Sequence, residues 1–572
     1  MIDFGVILDH VGDFGRYQVA LCCMVFYLTV SCAMHILSPV FYAAPMDFRC
    51  RVLSIENLIV SKNFSDEFIT NATSYFNHET SKYDGCQRLP LNLTSCNLTM
   101  ECIMTNSTPI SCVDGYHYDR TEFIETTVSE WNLVCDRHFL NTVEHSIFFV
   151  GAMAGGFVAG YLADRFGRKP ALMCCCLGII VFGSIASLVP WFPAFVVARF
   201  FVGMCAVGQD FLTQVYVIEI TGRKRTTASI LGQVAFGIGL FVNSFISYFV
   251  RNWRYFYLML SLFNVPYIVF HYLIPESPRW YFSKSKNELG KKVAQRFGKY
   301  NKKKITPDIW REAEISLKDI TDTSNEKYTF LDLFKPKKMR MITICINICW
   351  FVSFMTYIGL SLNVGSLAGN IFLNNAFNGV VSVVCSIFLI FTINRISRRF
   401  LLSGSMFLTA VASFGSFCAI IFGGDAPAAA TTGRVLTFIA YLGSWIVIVV
   451  SFIYTAELYP TVIRSNAVGV ATVSGSLGDI VAPIVISSKY LWLPSIVFGI
   501  LSTVAGILFL QLPETINKPL PETFEEAELF YASRKPLRPF VSDVHTQQST
   551  LLQQKEGNDD QLDKDVIDQQ SC

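Results

Sequence analysis

The apolar residues of this 572-residue chain come in blocks, and that arrangement decides most of what it can fold into. Each block is about 20 residues long, the length that carries an α-helix across the hydrocarbon core of a bilayer. Twelve blocks are read, at 17–43, 138–163, 171–190, 194–218, 228–250, 255–274, 341–362, 368–393, 401–422, 433–456, 466–486 and 491–512. A soluble domain carries about 25% charged residues; here the share is 16%, beside 52% hydrophobic residues. A formal charge of +2 gives no bulk case for nucleic-acid binding. The first block is too long for a secretory signal, lacks an A-x-A cleavage site and follows an acidic stretch, so it reads as a mature helix.

Polar segments separate the blocks. Residues 1–16 form a short N-terminus, 17–43 the first helix, and 44–137 a large loop. Helices two to six fill 138–274, a basic loop 275–340, helices seven to twelve 341–512, and a polar tail 513–572. The large loop holds five N-x-S/T sequons, at Asn63, Asn71, Asn92, Asn97 and Asn106, with none found elsewhere. That clustering points to a glycosylated, extracellular loop. Six cysteines share it: Cys50, Cys86, Cys96, Cys102, Cys112 and Cys135. They read as three disulfides, among about 15 possible pairings. The segment 275–340 is rich in lysine and arginine, as are 164–170, 219–227 and 394–399. Positive charge stays on the cytoplasmic side. With twelve spans all of these fall opposite the large loop, which places both termini in the cytoplasm and the protein in the plasma membrane.

The two halves repeat. DRFGRK (164–169) has a counterpart in NRISRR (394–399), YVIE (216–219) in YTAE (454–457), and PES (275–277) in PET (513–515). Three matches in one order at nearly one offset indicate a duplicated six-helix unit. A hairpin turn at a membrane surface needs charge and a glycine. The sharper reading is a charge latch between the halves. It comprises Asp164, Arg165, Arg168, Glu219 and Arg223 in the first half, and Arg395, Arg398, Glu457 and Arg464 in the second.

G-x-L-A-D-R-F-G-R-K after the second span resembles the signature of the major facilitator superfamily. CVDGYHYD (112–119), EWNLVCD (130–136), PESPRW (275–280), AELYPTVIR (456–464) and DHVGDFGRYQ (9–18) are similar to the organic cation, organic anion and carnitine transporter family within it. Sugar porters share PESPRW-like segments but generally lack a long cysteine-rich first loop. The resemblance covers about residues 9–530. It implies an all-α membrane protein: two six-helix bundles around a central cavity, working by alternating access.

Ionisable residues inside a membrane are costly, so each is a candidate site. Asp210 and Asp479 fall near mid-depth on the fourth and eleventh spans. The structural alternative for each is a buried carboxylate paired with a neighbour or capping a helix. Trp350 and Tyr357, seven apart, share a helix face. By resemblance that face lines the cavity in the organic cation branch, where aromatic faces attract cations. Tyr216 and Tyr454 precede the repeated glutamates and are cavity or gate candidates. The family position that tracks substrate charge falls on Ser476, seven before Pro483, with Asp479 one turn on. The resulting expectation is a secondary transporter of small organic ions, with cations or zwitterions such as carnitine favoured. Two alternatives stand beside it: an organic anion transporter, and a non-transporting sensor on the same scaffold. No P-loop, G-x-S-x-G or H-E-x-x-H is present, so no enzyme, cofactor or metal is expected. His35, His145 and His271 read as packing or hydrogen-bonding residues. A coupling ion, sodium or proton, is left open.

Overall fold

The computed structural model describes residues 4–12, 14–51, 75–77, 82–88, 110–222, 224–311, 313, 330–363, 369–423, 426–460, 463–488, 490–516, 518, 521 and 524–532. Among them are twelve helices long and apolar enough to cross a membrane. In chain order these are α1 (Arg16–Tyr42), α2 (Cys135–Phe166), α3 (Arg168–Leu188), α4 (Phe192–Ile220), α5 (Arg225–Phe249) and α6 (Trp253–Leu273) in the first half. The second half has α7 (Lys337–Asn363), α8 (Ile371–Thr392), α9 (Arg398–Phe422), α10 (Pro427–Leu458), α11 (Arg464–Ile486) and α12 (Leu493–Gln511). Several helices outrun their apolar blocks. A proline in the first turn starts α10 at Pro427 rather than at 433, because its missing N–H lies among donors that have no helical partner there.

Only helices and closed barrels satisfy every backbone group in hydrocarbon. The exception inside α6 is instructive. This span is two helices, Trp253–Leu262 and Val265–Leu273, and the second has a proline in its first turn. Asn264 at the break is fully buried. Its carbonyl accepts from the Cys176 thiol of α3, and its side-chain amide donates to Ser31 Oγ of α1 at 2.7 Å. The kink is stitched to two neighbours instead of being left bare.

Glycines set the closest helix contacts, as is usual where lipid removes the hydrophobic drive between helices. A Cβ on Gly151 would stand 2.0 Å from the Phe200 carbonyl oxygen, and one on Gly155 2.1 Å from that of Met204. The α2–α4 pair is therefore backbone against backbone. Between halves, α5 meets α8, where a Cβ on Gly379 would lie 2.8 Å from the Gly237 carbonyl oxygen. α2 meets α11 through Ser146, which donates to the Ile480 carbonyl at 3.0 Å.

The described residues of the large loop pack at one end of the helices, the end called outer below. Strands Phe48–Cys50 and Tyr116–Tyr118 pair antiparallel, as do Gln87–Arg88 with Ile110–Ser111. Disulfides join Cys50 to Cys112 and Cys86 to Cys135. Cys96, Cys102, the five sequon asparagines and the tail beyond 532 lie outside the described residues. Glu130 anchors the rim: its carboxylate accepts from Trp253 Nε1 at 2.8 Å and pairs with Arg254.

Gly151→Val is expected to part α2 from α4. Overpacking ordinarily costs about 1–3 kcal/mol, and a clash with backbone has less room to relax. The check is the melting temperature of detergent-purified protein, which should fall by several degrees or more, whereas Gly156→Val, in open space, should leave it unchanged.

Candidate functional site

At the inner face the repeat becomes a pair of charge clusters. Gly167, with φ +112°, turns the chain from α2 into α3. Arg168 then points its guanidinium back along the helix ends. Nε and Nη2 reach both oxygens of Glu219 on α4, at 2.7 Å in the closest contact, and Nη1 donates to Asp164 at 2.8 Å. A forked guanidinium–carboxylate contact of this kind is among the stronger ion pairs. Glu276 takes the N-terminus of α3, accepting from the backbone N–H of Arg168 at 2.9 Å and of Lys169 at 3.1 Å. Burial pushes its carboxyl above the ordinary value, and these N–H groups oppose that shift. A Cβ at residue 167 would stand 2.3 Å from Glu276 Oε2, so the glycine serves the clamp as well as the turn.

The second half repeats the construction. Arg398 reaches Glu457 at 3.4 Å, and Glu514 accepts from the backbone N–H groups of Arg398 and Arg399. Tyr216 donates to the Pro275 carbonyl at 2.9 Å, and Tyr454 to that of Pro513 at 2.6 Å. Both tyrosines are fully buried, in matched positions behind the clusters. Glu276 and Glu514 were not singled out from sequence, although PES and PET carried the signal.

The expected latch partners need correction. Among the described residues the ion pairs of both clusters close within a half, because each cluster clamps its own α2–α3 or α8–α9 turn to its own fourth helix. Across the inner gap Arg464 of α11 feels Glu457 of its own half but also the like charge of Arg225 on α5. Arg165 donates to Tyr161 on its own helix, and Arg395 is exposed. Arg223 lies outside the described residues.

The halves instead meet on the outer side. Thr142 bonds Ser487. Asn375 of α8 donates to Ser244 of α5 at 2.7 Å. Phe372 at the start of α8 sits in a socket of Phe41, Phe123 and Tyr248, with ring centroids 5.5–5.7 Å away. Close below this seam runs a buried network. Arg199, fully buried, donates to Glu144 at 2.7 Å and to the Tyr257 hydroxyl at 3.0 Å, and lies 4.2 Å from the centroid of Phe148. Tyr42 and His145 complete the shell of Glu144. Removing one partner of such a pair would strand a buried charge, at a cost of about 3–5 kcal/mol. Neither Arg199 nor its carboxylate partner Glu144 was singled out from the sequence.

Beneath the seam lies Asp479. It stands seven residues inward of Ile486, about 10 Å by helical rise, and its Oδ1 is buried without a partner. Tyr357 of α7 lies near it. The Tyr357 ring packs 5.8 Å from Tyr441 and 5.4 Å from Trp445, and Trp445 lies 5.6 Å from Phe236 of the other half. Ser382 meets the Tyr441 hydroxyl at 2.7 Å. One turn before Ser382, both amide atoms of Asn378 are buried and unpartnered. Tyr441, Trp445 and Asn378 went unmarked in the sequence, since neutral polar or aromatic residues in an apolar span give a weaker signal than a charge.

Asp210 stands apart. It lies 18 residues inward of Phe192, about 27 Å from the outer end of α4, and next to Thr29 and Cys32 of α1. Its Oδ1 is likewise unpartnered. The two carboxylates are therefore at different depths, and are not brought together. Ser476 is half-buried one turn inward of Asp479. Trp350 is fully buried; its Nε1 donates to Thr455 at 2.9 Å and its ring stacks on Phe354.

Twelve helices in two matched halves, each clamped by a charge cluster, define a membrane transporter of the major facilitator fold. Solved structures agree. The chain superposes on the proton:xylose symporter XylE bound to 6-bromo-6-deoxy-D-glucose with TM-score 0.56 at 16% identity, covering 91% of this chain and 99% of that one. The inward open xylose transporter XylE from E. coli gives TM-score 0.59 at 16% identity, over 90% and 99%. Residues 93–527 match the model of the family described as sugar (and other) transporter. Among curated relatives, an organic cation transporter protein of Drosophila melanogaster is 30% identical, with 93% of this chain and 95% of that one covered. Solute carrier family 22 member 16 of Bos taurus is 32% identical with the same coverage. Organic anion transporter 3 of Oryctolagus cuniculus is 29% identical, over 94% and 95%. The chain belongs to this transporter family, in its solute carrier 22 branch, and not among enzymes.

Arg168→Ala should leave Glu219 and Asp164 unpaired and free the α2–α3 turn. Transport is expected to fall at least tenfold at equal surface amount. Arg168→Lys, which keeps the charge but loses the fork, should fall in between. Rates normalised to surface-labelled protein check this.

Proposed function

We propose that this chain moves small organic cations or zwitterions across the plasma membrane by alternating access, with Asp479 as the group that receives the positive end of the substrate. The observation that carries the reading is a carboxylate inside a span whose buried oxygen has no protein partner, beside the aromatic group Tyr357, Tyr441 and Trp445. A desolvated carboxylate is costly until a counter-charge arrives, and aromatic faces replace the hydration shell of an ammonium group. Asn378 and Ser476 supply neutral polar contacts at neighbouring turns. Asp210, deeper on α4, is a second carboxylate on the inward path. Trp350 and Tyr454 lie further inward, bonded to Thr455 and to the Pro513 carbonyl beside the inner cluster of the second half.

Sequons and cysteines in the loop, and basic segments on the opposite face, support an extracellular loop with both termini in the cytoplasm. The inner clusters then hold each half rigid as the outer seam opens and closes. Names among the relatives include organic cation and organic anion transporters, so the sign of the substrate rests on Asp479 and not on kinship.

The test is uptake of a labelled quaternary ammonium, carnitine and an organic dicarboxylate, in parallel, by cells expressing the chain. The ammonium compound or carnitine should accumulate. Asp479→Asn should lower that uptake at least tenfold at unchanged surface amount, and Asp479→Glu should recover part of it. Accumulation of the dicarboxylate alone, unaffected by Asp479→Asn, would overturn the reading.

A further inference from the structure

A cavity of about 460 Å³ opens on the inner face, outside the seam between halves and outside the Asp479 region. It lies where α2 turns into α3, against the inner end of α6 and the helix Pro278–Ser283. Three groups that carry or accept positive charge line it: Lys169, His271 and Lys286. The His271 Nδ1 atom is buried with no partner. Lys286 Nζ stands 5.3 Å from the ring centroid of Trp280, a contact that holds the ammonium at the rim. Glu276, the one acid in the lining, gives its oxygens to the backbone N–H groups of Arg168, Lys169 and Ser277. Its carboxylate is thus satisfied within the protein.

The same cavity also has an apolar side. Phe166 is 55% exposed and Leu289 44%, and both line it. Tyr272, next to His271 and 77% exposed, marks the level where the span meets the lipid interface, a place aromatic rings favour. Basic groups at the headgroup level, with bare apolar surface continuing into the acyl region, match one class of ligand. A phospholipid brings an anionic head and hydrocarbon in that order.

We propose that this cavity binds the headgroup of an anionic phospholipid from the inner leaflet, with Lys169, Lys286 and His271 holding the phosphate and Phe166 and Leu289 bordering the acyl chains. The assignment of that leaflet as cytoplasmic rests on the orientation proposed above; the binding itself does not. Because Trp280 also donates to the Asp164 carbonyl at 3.1 Å, a bound lipid touches the element that braces the α2–α3 turn. The lipid therefore supports the inner cluster of the first half.

The experiment is native mass spectrometry of delipidated, purified full-length protein, given phosphatidylserine and phosphatidylcholine in competition. Wild type should retain phosphatidylserine at least tenfold over phosphatidylcholine. Each lysine near an anionic surface is worth about 1 kcal/mol, or roughly fivefold in binding. Lys169→Ala with Lys286→Ala should therefore abolish most of the preference, and Lys286→Ala alone should lower it about fivefold. Melting temperature in phosphatidylcholine, unchanged, would show that the variants fold. Lys337→Ala with Lys338→Ala, basic residues at the start of α7, should keep the full preference. Equal retention of the two lipids by wild type would overturn the proposal. So would a variant that keeps the preference, or a control pair that loses as much. Inorganic phosphate displacing the lipid as well as it does itself would make this a free-anion site, and would also overturn it.

Discussion

Hydrocarbon solvates neither a backbone amide nor a charge, and almost every feature of this structure follows from that refusal. It makes the spans helices and ties the broken α6 to Ser31 and Cys176 through Asn264. It surrounds Arg199 with Glu144, Tyr257 and the ring of Phe148. Several buried polar atoms are nevertheless left without a partner, two carboxylates among them. The buried oxygens of Asp479 and Asp210 and the amide of Asn378 have no partner within the protein. On the reading proposed above, the positive end of a transported ion would complete the first of them.

The inner clusters and the outer seam divide the mechanical work. Each cluster binds a turn to its own half through Arg168 and Glu219, or Arg398 and Glu457. The carboxylates of Glu276 and Glu514 fix the helix that follows. Among the described residues the ion pairs of neither cluster join the halves. Contact between halves is made instead by bonds such as Ser146 to Ile480 and Asn375 to Ser244, by glycine faces on α5 and α8, and by the aromatic socket of Phe372. Rigid halves meeting along a single seam are what a rocking movement requires.

Much of this was legible in the sequence because the bilayer imposes a coarse rule. Span length, the repeat of DRFGRK and YVIE, and the two mid-span aspartates follow from composition and spacing alone. What escaped was partnership. Arg168 carries no sign that it turns to Glu219 of its own half and not to the other half, since charge is visible in sequence and direction is not. By sequence both aspartates fall near mid-depth, whereas the helix bounds put Asp479 toward the outer end of α11 and Asp210 toward the inner end of α4. The six loop cysteines left their pairing open, and the structure assigns four of them. Asn378 and Tyr441 were missed because a neutral side chain among apolar ones is common, and only its unpaired burial or its place beside Tyr357 gives it meaning.

The account depends on the outer seam parting during each cycle. The direct measurement is uptake by a Thr142→Cys, Ser487→Cys double variant, across a contact where the two side chains already bond. After oxidative cross-linking, transport should stop, while each single variant under the same oxidation keeps most of its rate. Wild-type uptake by the cross-linked protein would contradict the account, for the two halves would then move substrate without separating at α2 and α11.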